Sequence, residues 1–274
     1  MHRSSPFFSF ARHRGWIFVL PSLLLMAMLG LPLLALLWRA INKDFFQYAL
    51  SSTALSALSL SLITSAVTVL IAIITGTPLA FLLARWKFRG KGALELLIDL
   101  PVILPPSVAG LSLLLAFGRQ GIFGGWLSTI GIGLPFTTAA VVLAQTFVSA
   151  PLFVRSARIG FAGIERQLEE AATVEGADEW QIFRFIMFPL AGRAFLTGLI
   201  LTWTRALGEF GATLLFAGNL IGKTQTMPLA IYLGFERGIG VAIALSFMLL
   251  MVSIVLLGIT RRLEGRGRTE ENDY

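Results

Sequence analysis

Six apolar runs, each about as long as a bilayer is thick, restrict this chain more than any other feature. They cover 16–38, 55–84, 94–117, 137–154, 194–217 and 238–260. A helix needs about 20 consecutive apolar residues to cross the hydrocarbon core, and helices and closed barrels alone satisfy their backbone polar groups there. The runs therefore predict an all-α integral membrane protein with six transmembrane helices. Trp16 and Trp38 bracket the first run, where amphipathic rings suit the two interfaces. That run is longer than the roughly 7–15 apolar residues of a signal peptide, and no small-x-small cleavage site follows it, so it reads as a retained helix. The second run exceeds the required length by about ten residues, which implies tilt or projection beyond the bilayer.

Composition removes several alternatives. Only 14% of the residues are charged, against about 25% in a soluble domain, and the mean hydropathy is +0.80. There is no Cys, and the two histidines, His2 and His13, lie in the N-terminal tail. Disulfides, thiolate sites and an intramembrane His metal site are thus excluded, and no metal site is expected. The net charge of +7 has an explanation other than nucleic acid, because membrane proteins collect Lys and Arg in cytoplasmic loops. With the N-terminus inside, the inner segments hold Arg3, Arg12, Arg14, Arg85, Lys87, Arg89, Lys91, Arg155, Arg158, Arg166, Arg184, Arg193, Arg261, Arg262, Arg266 and Arg268. The outer segments hold only Arg39, Lys43, Arg119, Lys223 and Arg237. Both termini are accordingly expected in the cytoplasm, with tails at 1–15 and 261–274. No internal repeat is evident, and one pseudo-symmetric half needs another to form a pathway, so a homodimer is expected.

The longest polar stretch, 155–193, lies between the fourth and fifth runs. Its five Arg are nearly matched by Glu165, Glu169, Glu170, Glu175, Asp178 and Glu179, which a simple positive-inside loop does not require. It reads as two short helices joined by a hinge. The first covers about 163–175, with Leu168, Ala171, Ala172 and Glu175 at helical spacing. Gly176 tolerates the left-handed backbone that ends helices. Asp178 and Gln181 have capping-box spacing for a second helix carrying Trp180, Phe183 and Ile186, and Pro189 stops or kinks it. Such an elbow is either a plain connection or a docking element on which small Ala171 and Ala172 admit a partner closely.

The string Glu170-Ala171-Ala172, three residues, Gly176, nine residues, Ile186-x-Phe188-Pro189 resembles the E-A-A-x3-G-x9-I-x-L-P loop of ABC importer permeases, with Phe188 in place of Leu. The resemblance covers a core at about 53–260. It implies the type I importer permease fold in a bacterial inner membrane, and an elbow that docks on an ATPase subunit and transmits its closure. ATP and Mg would be bound by two partner ATPases, with no cofactor in this chain. Arg205 to Thr213 (R-A-L-G-E-F-G-A-T), then Phe216 to Asn219 and Thr224 to Tyr232, are similar to the molybdate permeases of that family, as is Leu104-Pro105-Pro106-Ser107-Val108-Ala109-Gly110. This implies an extracytoplasmic oxyanion-binding protein as a further partner. Tungstate and sulfate importers share parts of these strings and remain alternatives.

Two intramembrane constellations are candidates for the pathway. Arg205 lies about 17 Å into the fifth run at 1.5 Å per residue, near the midplane. A lone Arg there costs at least ~2.5–3.5 kcal/mol on insertion scales. Glu209, four residues on, can pair with it, and Thr202 and Thr213 fall on roughly the same stripe. The pair is either an internal ion pair that pins the helix or part of the pathway lining. In the third run Pro101, Pro105 and Pro106 should kink or break the helix beside Asp99. That bend is either a buried re-entrant turn or one side of a gate.

Gly218-Asn219-Leu220-Ile221-Gly222-Lys223-Thr224 mimics a phosphate-binding loop but is one residue short between its glycines and follows no strand. An intramembrane enzyme would need a converging catalytic set, which the runs lack. A stand-alone ion-coupled carrier would account for Arg205 and Glu209 but not for the acidic elbow.

Overall fold

The computed structural model describes residues 6–40 and 44–269. The remainder of the expected tails, 1–5 and 270–274, and Lys43 lie outside the described residues.

The elements are all helical: α1 Pro6–Ala40, α2 Phe45–Ala49, α3 Ser52–Arg85, α4 Lys91–Ile103, α5 Pro106–Phe117, α6 Gly124–Thr129, α7 Thr138–Ala162, α8 Arg166–Val174, α9 Glu179–Ile182, a π-helical turn Phe183–Met187, α10 Phe188–Leu190, α11 Gly192–Leu207, α12 Gly211–Ala217, α13 Met227–Arg237 and α14 Ile239–Thr269. Among the described residues, four helices are long and apolar enough to cross a membrane alone, at 17–40, 52–85, 138–162 and 239–259. Counting each of two bent pairs as one span gives six: α4 with α5, turned by 117°, and the 179–190 stretch with α11, turned by 67°.

Helices α3, α7 and α11 form the centre of the bundle. The inward stripe of α3 is Ala54, Ala57, Ser61, Thr64, Ser65, Thr68, Ala72, Gly76 and Ala80, small residues that let neighbouring backbones approach. At Gly76 an added Cβ would sit 2.8 Å from the Phe153 ring. The stripe's hydroxyls also bond outward: Trp203 Nε1–H donates to Ser65 Oγ at 2.9 Å, and the Met227 N–H to Ser61 Oγ at 2.7 Å. The large side chains gather at the end that carries α8, where Phe153, Phe161 and Phe195 are buried and meet edge to face. Helix α1 stands apart, its apolar residues open on the outside and its contact made with α14.

Two boundaries differ from the sequence reading, in the fourth and fifth runs, and the expected proline bend in the third is a break. Helix α7 carries Pro151 within it and continues to Ala162, eight residues past 154, ending at Gly163. The third run is broken outright between Ile103 and Pro106: Pro105 lacks an N–H, and Pro106 takes the first position of α5, where none is needed. The fifth run begins at Gly192 and is interrupted at 208–210. The structure also adds α13, which the sequence reading left as outer loop. Its Met227 and Ala230 are buried against Ala54, Ala57 and Leu245.

Candidate functional site

The elbow is built from local chemistry. Helix α8 ends in a Schellman arrangement in which the Ala177 N–H reaches Ala172 O at 3.0 Å and the Gly176 N–H reaches Thr173 O at 3.0 Å. Gly176 supplies the required left-handed backbone at φ +89°. The next helix opens with a full capping box: Gln181 N–H donates to Asp178 Oδ1 at 2.8 Å, and Asp178 N–H to Gln181 Oε1 at 2.9 Å. Pro189 has no N–H for the ordinary helical bond and its ring crowds the carbonyl four residues back. The backbone widens there into the π-helical turn, closed by the Phe188 N–H on Phe183 O.

No residue of α8 is buried. Glu170 and Ala171 are exposed, while Ala172 packs on the aromatic cluster. Ile186 is half-buried and Pro189 exposed. Val174 is 86% exposed and Trp180 65%. The elbow is nonetheless anchored at both ends. Ile182 is buried in the aromatic cluster, and Glu169 pairs with Arg85 at 2.7 Å. Arg85 also donates to Ile164 O at 3.0 Å, so the end of α3 grips both the start of the elbow and α8 itself.

Two further ion pairs lie beside it. Asp99 accepts from Arg155 at 2.9 Å, and Glu95 pairs with Arg158 at 2.8 Å. Together with Leu83, Ile98 and Val154 they line a cavity of about 110 Å³ between α4 and α7. These pairs and Arg85–Glu169 were missed by sequence reasoning. The four-residue spacing of Glu95 and Asp99 and the three-residue spacing of Arg155 and Arg158 were the available signal, since each set shares a helix face.

Deeper in the bundle the breaks in the third and fifth runs meet. An added Cβ at Gly211 would lie 2.6 Å from Pro106 Cβ, and one at Gly110 would lie 2.9 Å from Leu215 Cβ. Glycine thus lets α12 rest on the Pro105–Pro106 turn. Glu209 sits inside the interruption, 1% exposed. Its Oε2 accepts from Arg205 Nη1 at 2.7 Å, and its Oε1 accepts the Ala212 N–H at 2.8 Å. Of the other two stripe residues, Thr202 is turned toward α7, donating to Ser149 O at 3.3 Å. Thr213 is buried, with no partner for its hydroxyl among the described residues.

Against known proteins, the model of the family described as "Binding-protein-dependent transport system inner membrane component" matches residues 76–269. The molybdenum transport system permease protein ModB of Mycobacterium tuberculosis is 39% identical over 248 residues, covering 90% of this chain and 94% of that protein. A probable sulfate transport system permease protein, cysT of Chlorokybus atmophyticus, is 38% identical over 227 residues, or 82% of this chain and 79% of that one. Among solved structures, a chain of a bacterial ABC transporter that imports alginate superposes with a TM-score of 0.76 at 18% identity, covering 96% of this chain and 99% of that one. That likeness concerns the fold.

Proposed function

The chain belongs to the family of binding-protein-dependent transport system inner membrane components, and from that premise we propose that it is the membrane permease of an ATP-driven importer of molybdate. Two copies would form the pathway, two ATPase subunits would bind ATP and Mg, and an extracytoplasmic binding protein would deliver the oxyanion. This chain itself carries no ATPase site. Both termini would lie in the cytoplasm, which places the elbow on the ATPase side.

The observation that carries this reading is α8, a charged helix with no buried residue, in an elbow tied to α3 through Glu169 and Arg85 and seated at Ile182. A mere connection has no need of rigid anchoring, whereas a lever does. Glu170, Ala171, Ala172 and Gly176 would take the push of the closing ATPases. Ile186 and Pro189 would pass it to α11 through the 67° bend. The gate would be the meeting of Pro105 and Pro106 with the interruption at Glu209, lined by Arg205, Thr202 and Thr213. Asp99 would tie the third run to α7 through Arg155.

Identity to ModB supports molybdate; tungstate falls within the same reading. Sulfate is a second reading, favoured by the comparable identity to cysT. The deciding experiment measures ATP hydrolysis by the purified complex with its binding protein. Molybdate is expected to stimulate hydrolysis more than sulfate. The reverse ranking would reassign the cargo, and no response to any oxyanion would contradict the reading.

A further inference from the structure

The Arg205–Glu209 pair is asymmetric in a way that a pinning ion pair is not. Both partners belong to the same run, so the pair joins α11 only to α12, which continues that run, and makes no bond to a helix of another run. Glu209 is fully enclosed and doubly held, one oxygen on the Ala212 N–H and the other on Arg205. The Arg205 side chain is 34% exposed. Among the described residues its guanidinium makes one hydrogen bond, leaving four of its five N–H donors unused.

Arg205 itself stands on an open stripe of the fifth run. Leu201, Thr204 and Gly208 are exposed on the side of Arg205, while Phe195, Gly198, Thr202 and Ala206 are buried on the other. The hydroxyl of Thr204 donates to Ile200 O at 2.8 Å, so its oxygen still accepts. A stripe bearing a guanidinium at bilayer depth is poorly matched to lipid and suits a second copy or a water-filled route.

We propose that Arg205 is the residue that handles the cargo, exchanging its hydrogen bond between Glu209 and a tetrahedral dianion, while Glu209 remains seated as the cap of α12. The reading rests on the oxyanion-permease function above and assigns its two charges different tasks. The planar guanidinium fork can offer an oxyanion two parallel bonds, where it now makes one to Glu209. The carboxylate cancels most of the positive charge when the route is empty. That keeps the contact weak enough for release, as conduction requires. The exchange moves no proton and breaks no covalent bond.

The test uses the whole complex, arrested with a non-hydrolysable ATP analogue, and measures labelled molybdate retained per complex together with molybdate-stimulated ATP hydrolysis. Arg205→Gln should lower retention by about tenfold or more, the effect of losing one charge-assisted hydrogen bond. Glu209→Gln keeps an oxygen for the Ala212 N–H but frees the guanidinium, and should raise retention above the unmutated level. A structural pin predicts the opposite pattern, with both variants losing thermal stability and neither changing retention per folded complex. Should Arg205→Gln fail to assemble, Arg205→Lys decides. It keeps the charge but not the fork, and should shift the ratio at which sulfate displaces retained molybdate; an unchanged ratio and unchanged retention would overturn the proposal. If the unmutated complex is stimulated by neither molybdate nor sulfate, both the function and this inference fall. If it is stimulated and the variants retain molybdate as it does, this inference alone falls.

Discussion

The elbow and the intramembrane interruption both bend the chain, but they satisfy their polar groups in opposite directions. At the elbow the backbone is closed locally by Gly176 and the Asp178 capping box, and the side chains of Glu170, Val174 and Trp180 are left outside. At the interruption a side chain, Glu209, closes the backbone, and the chain encloses it completely. The first arrangement suits a surface that another protein grips. The second suits a break in a span, where water is absent and each backbone group must find a partner inside the protein. The Arg205 side of the interruption stays partly open, which is why the two charges of the pair are not equivalent.

Three substitutions break or sharpen this contrast. The largest effect is expected from Arg205→Leu. It leaves the enclosed Glu209 carboxylate without its counter-charge, and breaking a buried pair from one side costs about 3–5 kcal/mol. Thermal unfolding of the purified complex should show a drop larger than that of Glu209→Leu, which leaves a partly exposed guanidinium and an uncapped Ala212 N–H. A smaller drop would mean that Glu209 is not the seated partner. Next is Gly176→Val. No atom stands within 4 Å of the added Cβ, so the penalty is confined to the φ of +89°, about 1–2 kcal/mol for a left-handed residue. Import per ATP hydrolysed should fall several-fold while stability falls by no more than that penalty; intact coupling would remove the elbow from the mechanism. The smallest effect is expected from Arg158→Gln. Its pair with Glu95 is partly exposed, so the loss should be at most about 1 kcal/mol and weaker still at high salt. A larger, salt-independent loss in a denaturation series would show that the cavity between α4 and α7 is closed in the assembled complex.

Much of this architecture is legible in the residues. The spans follow from apolar run length, because a bilayer sets a minimum that no soluble helix must meet. The elbow follows from Gly176, Asp178 and Gln181, whose bonds reach no further than five residues. The proline break also announces itself, since Pro105 and Pro106 remove adjacent donors. Other features depend on contacts distant in sequence. Hydropathy read 194–217 as one run, and a continuous 3.6-residue period placed Thr202, Arg205, Glu209 and Thr213 on one stripe. The interruption at 208–210 ends that period, and Thr202 turns to Ser149 on α7. Helix α13 was missed because its burial depends on packing against α3 and α14. The ion pairs joining Arg85, Arg155 and Arg158 to Glu169, Asp99 and Glu95 span α3, α4, α7 and α8, and charge counting by loop cannot place them.

The central claim is that force generated on partner ATPases enters this chain at the elbow and moves an oxyanion through it. The most direct measurement is labelled molybdate uptake into liposomes containing this chain and supplied with its binding protein, with and without the ATPase subunits and ATP. Uptake is expected only when ATPase and ATP are both present, and uptake of the anion by this chain alone would contradict the account.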